Sequence, residues 1–371
     1  MYTGPLIDTD IHHQPKKDAD LLPYVPLRSR ELVERMIEHR AFLGGLRAIP
    51  TVAGGLLRHD AYPPDGPPGS SYELLAEQYL DPAGMTRCLL TFNVGEYGSH
   101  LNPYVSADLC TAANDWNVEN WLDRDDRLYS GIVVSGQLPD EARKEVLRLA
   151  DHPRMSCVII GGSPLARGLG DPLYHPIYEA AAEVGLPIVC HLGVSVLQSG
   201  KAIVGNASTF AEVNLSLATA GGQNVTSFIV HGVFEKYPQL RVVMNEYGVS
   251  WLPPLLWSLD REYPLLRLES PWVKKPPSEY VREHIRLATQ PLETTSDGRE
   301  LIQFLSTVDG IEDLLCFSSD YPHLTMDDFA FVSKVLPDSW HDKVFFENAR
   351  DVFGWHDLSG ATRRVLSGAT A

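Results

Sequence analysis

Histidine and carboxylate side chains recur in this sequence where short apolar runs stop. Residues 8–15, DTDIHHQP, hold two aspartates and two adjacent histidines. Asp10 and His12 are two apart, so on a strand their side chains share one face and a single cation can accept both. His13 then faces the other way, and with Asp8 it is expected to serve the surroundings of the strand. Further along, His191 ends LPIVCH, His231 ends SFIVH, Glu246 follows RVVMN and Asp320 follows LLCFSS. Imidazoles and carboxylates together suit zinc, manganese or iron, whereas an all-oxygen set suits magnesium or calcium.

Taken singly, each residue has a plainer reading. Asp-x-His can be a turn or cap, His191 a satisfied core histidine, and His231 a histidine bonded to a neighbouring loop. Their common place at the ends of apolar runs favours ligation by Asp10, His12, His191, His231 and Asp320. Glu246 either ligates too or orients a ligand histidine from behind. An ionised Asp320 leaving a buried strand needs a cation or hydrogen-bond donors nearby, and such a carboxylate can accept a proton from metal-bound water. Asp320 and His231 are thus the catalytic candidates, His231 as the group that stabilises a developing oxyanion. His323 either binds substrate or caps the next helix. Arg47, Arg58 and His59 are candidates for holding a substrate carboxylate, with solvated surface as the alternative.

The elements that must position these groups follow from the alternation of β-branched apolar runs with longer helical patterns, the mark of βαβ units and a parallel sheet. Eight runs are expected as strands, at 6–11, 86–92, 128–135, 156–162, 186–193, 227–232, 241–248 and 314–322. Amphipathic stretches such as 140–152 and 175–186 read as crossover helices. The expectation is an α/β fold, a distorted (β/α)8 TIM barrel built as one domain over residues 1–371. There the C-terminal strand ends converge on one mouth. Two segments exceed what a plain barrel needs and are expected as lid-like insertions after strands 1 and 7, at 28–83 and 249–313. The rival is an open doubly wound sheet, and no Gly-x-Gly-x-x-Gly turn follows the first run to support a dinucleotide version.

Composition narrows the partners. The 44% hydrophobic and 21% charged fractions are those of a globular chain. A formal net charge of -17 opposes binding to nucleic acid or to anionic membranes. No apolar run approaches the roughly 20 residues that span a bilayer, and the expected location is the cytoplasm. The five cysteines include no close pair, which suits reduced, buried thiols. The expected partners are a small-molecule substrate and a second copy of the chain, the Trp-rich and Pro-rich segments supplying a dimer interface.

The order DTDIHHQP, GLPIVCHLG, HGVFEKYPQLRVVMNEYGVSWLP, FSSDYPH and FFENARDVFGW resembles the amidohydrolase-related proteins. That branch of the amidohydrolase superfamily includes aminocarboxymuconate semialdehyde decarboxylase, γ-resorcylate decarboxylase and related hydrolases. The likeness runs from residue 6 to about residue 355. It implies a distorted (β/α)8 barrel whose divalent metal is held by a first-strand pair, a fifth-strand histidine and an eighth-strand aspartate, here Asp10, His12, His191 and Asp320. The family's usual first motif is His-x-His or Glu-x-His. Asp-x-His departs from it, and the harder donor shifts preference towards manganese or iron relative to zinc. Dinuclear members bridge their metals with a modified lysine after the fourth strand, where this chain has VIIGGSP. One divalent metal is therefore expected, and two only if a carboxylate such as Asp10, Glu246 or Asp320 bridges.

The leading expectation is a metal-dependent decarboxylase or hydrolase acting on a small organic acid, ester or amide. The alternative is a non-haem di-iron oxygenase, a hydroxylase on the same fold, acting on a bulky hydrophobic substrate. Its warrant is a ligand list rich in both carboxylate and imidazole. A metal-binding protein without catalysis is a third reading, against which the intact ligand set argues.

Overall fold

The computed structural model describes residues 2–39, 57–92, 97–98, 100–162, 165, 167–192, 209–294 and 297–358, without the side chains of 210 and 213–217. Arg47 and most of the tail lie outside them. Eight parallel strands form one sheet in sequence order: β1 (Ile7–Ile11), β2 (Arg87–Leu90), β3 (Leu128–Val134), β4 (Met155–Gly161), β5 (Ile188–His191), β6 (Val242–Asn245), β7 (Ile285–Ala288) and β8 (Leu315–Cys316). The chain after β8 returns to β1. Thr9 N donates to Phe317 O at 3.0 Å, His12 N to Tyr321 O at 2.7 Å and Asp320 N to Asp10 O at 3.0 Å. These bonds bring the two edges together and make the sheet a (β/α)8 barrel, as expected from the alternation of patterns.

Helices cover the outside: α1 (Leu27–Glu38), α2 (Pro103–Asn117), α3 (Pro139–Leu149), α4 (His175–Val184), α5 (Phe210–Val230), α6 (Leu252–Glu269), α7 (Pro277–His284), α8 (Arg299–Leu305) and α9 (Phe329–Val335). α3 shows why such a stretch is helical. Pro139 opens it, Asp140 and Glu141 stand at its positive end and Arg148 at its negative end. Its buried residues Ala142, Glu145, Val146 and Leu149 recur at three and four, so one face packs inward. Among the described residues, no helix is long and apolar enough to cross a membrane. All five cysteines are free and buried.

Two expected elements are corrected. Residues 227–232 are not a strand, because residues up to Val230 belong to α5. That helix starts from a capping box in which Thr209 and Glu212 each accept a bond from the other's backbone N–H. It stops at Gly232, whose φ of 70° continues no helix. A short apolar run such as SFIV fits a buried strand and a buried helix equally well. The missing strand is β7, which lies inside the segment expected as an insertion at 249–313. α7 passes into β7 between His284 and Ile285 with no turn residue to mark the change. Residues 249–313 thus contain α6, α7, β7 and α8, a regular part of the barrel. In the first long segment, of which residues 40–56 lie outside the described residues, Leu57 pairs antiparallel with His323 after β8.

Candidate metal centre

The exit ends of β1, β5, β6 and β8 bring six side chains together. Asp10 lies on β1 and His12 just beyond it, His191 is the last residue of β5, Glu246 follows β6, and Asp320 and His323 follow β8. His12 Nε2 is central, at 3.1 Å from Asp320 Oδ1, 3.4 Å from Glu246 Oε1 and 3.7 Å from Asp10 Oδ1. His191 Nε2 lies 3.4 Å from Asp10 Oδ1, and His323 Nδ1 lies 2.5 Å from Asp320 Oδ1. The His12 ring stands edge-on to those of His191 and His323, with centroids 5.0 and 4.5 Å away.

These atoms approach one another without satisfying one another. Asp10 Oδ2, both ring nitrogens of His12, His191 Nε2, Asp320 Oδ1 and His323 Nδ1 are all buried and lack a hydrogen-bond partner. Buried polar atoms without partners are costly, and a group of them aimed at one volume is what a cation site requires. Donors from carboxylate and imidazole fit a divalent transition metal.

Other contacts hold the donors in place. Thr91 Oγ1, at the end of β2, donates to Asp10 Oδ1. Gln290 Nε2, after β7, donates to Asp320 Oδ2 at 2.9 Å. His191 Nδ1 meets the Leu192 carbonyl at 2.6 Å, which fixes the tautomer that leaves Nε2 bare. Asp8 ties the edges together: its Oδ1 accepts from Asp10 N at 3.0 Å and Ser319 N at 3.1 Å, and its Oδ2 from Tyr79 OH at 2.6 Å. His13 faces away from the site, buried beside Phe92 and Trp121, with Nε2 at 2.8 Å from Asn117 Oδ1.

The electrostatics report an excess of negative charge. Burial disfavours charged His191, yet the Asp10 and Glu246 carboxylates prevail and lift its pKa to about 9. Burial opposes charge on His12 as well, and Asp320 and Glu246 hold it well above its ordinary value. Burial would raise Asp320, but His323 and His12 bring it down to about 2. Either protons or a cation must answer these carboxylates.

The sequence candidates divide accordingly. Asp10, His12, His191, Glu246 and Asp320 come together, and Glu246 stands among the donors rather than behind a histidine. His323, expected to bind substrate or cap a helix, joins them. His231 does not. It is exposed at the C-terminal end of α5, on the approach to the start of β6, because the run that carries it is helical. It lies outside both groups of converging donors. Arg58 lies beside the mouth, with its N–H bonded to Pro322 O at 3.0 Å, but its guanidinium is engaged by Asp60 at 2.5 Å. His59 is exposed.

Asp8 serves the surroundings of its strand, as expected, whereas Thr91 and Gln290 are supports that sequence reasoning misses. A polar residue ending the apolar run at 86–92 is the available signal for Thr91. Gln290 has none as long as β7 lies unrecognised inside the insertion expected at 249–313.

A family model described as Amidohydrolase matches residues 7–355. The chain belongs to the amidohydrolase family. Solved structures similar to it include an amidohydrolase from Mycobacterium avium subsp. paratuberculosis K-10, at 20% identity over 95% of this chain and 99% of that one, with a TM-score of 0.71. Another is 5-carboxyvanillate decarboxylase from Novosphingobium aromaticivorans DSM 12444, solved with manganese and 4-hydroxy-3-methoxy-5-nitrobenzoic acid. It is 18% identical over 95% of this chain and 96% of that one, with a TM-score of 0.65. A dihydroxybenzoic acid decarboxylase from Polaromonas sp. JS666, solved with manganese and 2-nitroresorcinol, is 16% identical over 97% and 98%, with a TM-score of 0.63. At such identities the likeness is one of fold, and the amidohydrolase barrel is common to all of them.

Proposed function

We propose that this amidohydrolase is a metal-dependent decarboxylase or hydrolase acting on a small organic acid, ester or amide. The observation that carries the reading is the convergence of buried, unpartnered donor atoms from Asp10, His12, His191 and Asp320 at the exit ends of the strands. Those residues, with Glu246, would hold the cation. A divalent metal supplies Lewis-acid polarisation of a carboxylate or carbonyl oxygen and lowers the pKa of water.

The chain's own residues do the rest. Asp320 Oδ2 is held by Gln290, which leaves Oδ1 facing the site. Ionised at neutral pH, Oδ1 is the proton acceptor in a hydrolysis. In a decarboxylation the same atom takes a proton from substrate or solvent and returns it to the carbon that loses carbon dioxide. The decarboxylases among the similar structures favour an aromatic hydroxy acid as the first substrate to test.

The test is direct. Manganese-loaded protein incubated with hydroxybenzoates should release carbon dioxide without incorporating labelled solvent oxygen. A hydrolase should instead turn over esters or amides with incorporation. Activity that survives complete removal of metal refutes both versions.

One observation favours a second reading, the non-haem di-iron oxygenase. The site offers three carboxylates and three imidazoles, enough for two ions that each keep open positions. Iron-loaded protein that consumes oxygen while hydroxylating a bulky substrate would support it. Full activity under strict anaerobiosis would remove it.

A further inference from the structure

We infer that the site takes two divalent cations, with the Glu246 carboxylate shared between them. The inference rests on the metal-dependent reading and adds the number of ions and the residue that joins them. Asp10, His12, His191 and Glu246 each offer a donor atom within 4.8 Å of the others, and so do His12, Glu246, Asp320 and His323. The groups overlap at His12 and Glu246. His12 directs Nε2 into the site and serves one ion with it, whereas a carboxylate has an oxygen for each.

The two oxygens of Glu246 are divided in that sense. Oε2 lies on the His191 side of the site, 3.7 Å from the ring nitrogen Nδ1 that also meets the Leu192 carbonyl, not from the bare Nε2. Oε1 lies on the other side, 3.4 Å from His12 Nε2 and 4.0 Å from His323 Nδ1. Each half of the site then has its own carboxylate and its own imidazole, Asp10 with His191 and Asp320 with His323. In the second half, Asp320 Oδ1 and His323 Nδ1 are buried atoms with no hydrogen-bond partner although they lie 2.5 Å apart. They are therefore donors not accounted for by the first group.

Charge points the same way. Among the described residues, the ion pairs of Asp10, Glu246 and Asp320 are all with histidines, and none is with Lys or Arg. Three ionised carboxylates outweigh one divalent cation, and two such cations outweigh them, leaving net positive charge to meet an anionic substrate. The lysine bridge missing after the fourth strand does not preclude the pair, because Glu246 after β6 belongs to both groups of donors.

Calorimetric titration of metal-free protein with Mn2+, together with metal analysis after dialysis, tests the proposal without any substrate. The expected result is two ions per chain, with an exchange-coupled Mn2+ spectrum in electron paramagnetic resonance. His323→Ala should reduce the stoichiometry to one and abolish the coupling, its fold checked by circular dichroism. Saturation of the unaltered protein at one ion overturns this inference and leaves the metal-dependent reading standing. Saturation at none overturns both. Two ions retained in His323→Ala overturn the assignment of His323 to the second ion.

Discussion

Glu246 and Asp320 approach the same atom, His12 Nε2, from two strand ends, at 3.4 and 3.1 Å, and both do so from a left-handed backbone. Their φ angles are 65° and 64°, and among the described residues no other non-glycine residue has a positive φ. Such conformations cost on the order of 1–3 kcal/mol each and persist where the surroundings over-determine them. In this site they turn each carboxylate back into the mouth.

The variant Asp320→Asn separates strain from chemistry. Asparagine tolerates the left-handed region about as well as aspartate, so any loss of metal-free stability reports the lost charge beside His12 and His323 rather than backbone strain. Activity should fall by about 10²–10⁴-fold, the usual contribution of a positioned acid or base. Asp320→Val should also lose about 1–2 kcal/mol of stability, because a β-branched residue is strained there. Urea unfolding in chelator, beside steady-state rates, checks both. A stable Asp320→Val protein would show that the backbone relaxes easily.

Metal and stability should be linked. A ligand that binds only the folded state at about a hundred times its Kd adds about 2.7 kcal/mol. Mn2+ should therefore raise the melting temperature of metal-free protein, and chelation should reverse it. The same experiment on His191→Ala should show a much smaller shift. An equal shift in both proteins would place the ion elsewhere.

Much of this site is legible in the sequence because chemistry and position coincide in a barrel. Asp10, His12, His191 and Asp320 each follow an apolar run, and parallel strands deliver such residues to one end. Two segments mislead because their local pattern is ambiguous. SFIVHG has no alternation to tell a strand from a helix, so its pattern assigns His231 to a strand end that does not exist. IRLA follows α7 without a turn, which hides β7 and Gln290 behind it. His323 stays open because its role depends on a turn after β8, and neither length nor periodicity predicts a turn. The left-handed backbones of Glu246 and Asp320 leave no trace in composition at all.

His231→Ala follows from that correction. An exposed residue outside the cluster should change stability by no more than about 0.5 kcal/mol. Metal content and activity should match the unaltered protein. Metal analysis and rate measurement on His231→Ala beside His191→Ala check this, and a large loss of metal from the former would restore His231 to the site.

Gln290 and Thr91 should matter without touching the ion. Gln290 holds Asp320 Oδ2 and leaves Oδ1 facing the site, whereas Thr91 donates to Asp10 Oδ1, the oxygen that faces His12 and His191, and each bond fixes the orientation of its carboxylate. Loss of such a support typically lowers metal affinity by about 10–100-fold. Gln290→Leu and Thr91→Val should therefore weaken Mn2+ binding in calorimetry while both proteins remain folded. Unchanged affinity in either would mean that packing alone orients the carboxylate.

Stability should also fall on acidification through His284, well away from the metal centre. Its ring stacks on Phe234 with centroids 4.4 Å apart and a 10° interplanar angle, and Nδ1 donates to the Leu240 carbonyl at 2.9 Å. Burial presses its pKa below the usual 6.5, the Leu240 bond opposes this only in part, and Arg241 and Lys275 add to the depression. As pH falls through about 6.5, the unfolded chain takes up a proton that the native imidazole still refuses. The unfolded state then binds more protons, so the contribution is fully present above that pH and is lost as pH falls through the folded value. His284→Phe keeps the stack and removes the titration. Its urea midpoints should vary less with pH below 6.5 than those of the unaltered protein, and equal slopes would assign the acid sensitivity to other groups.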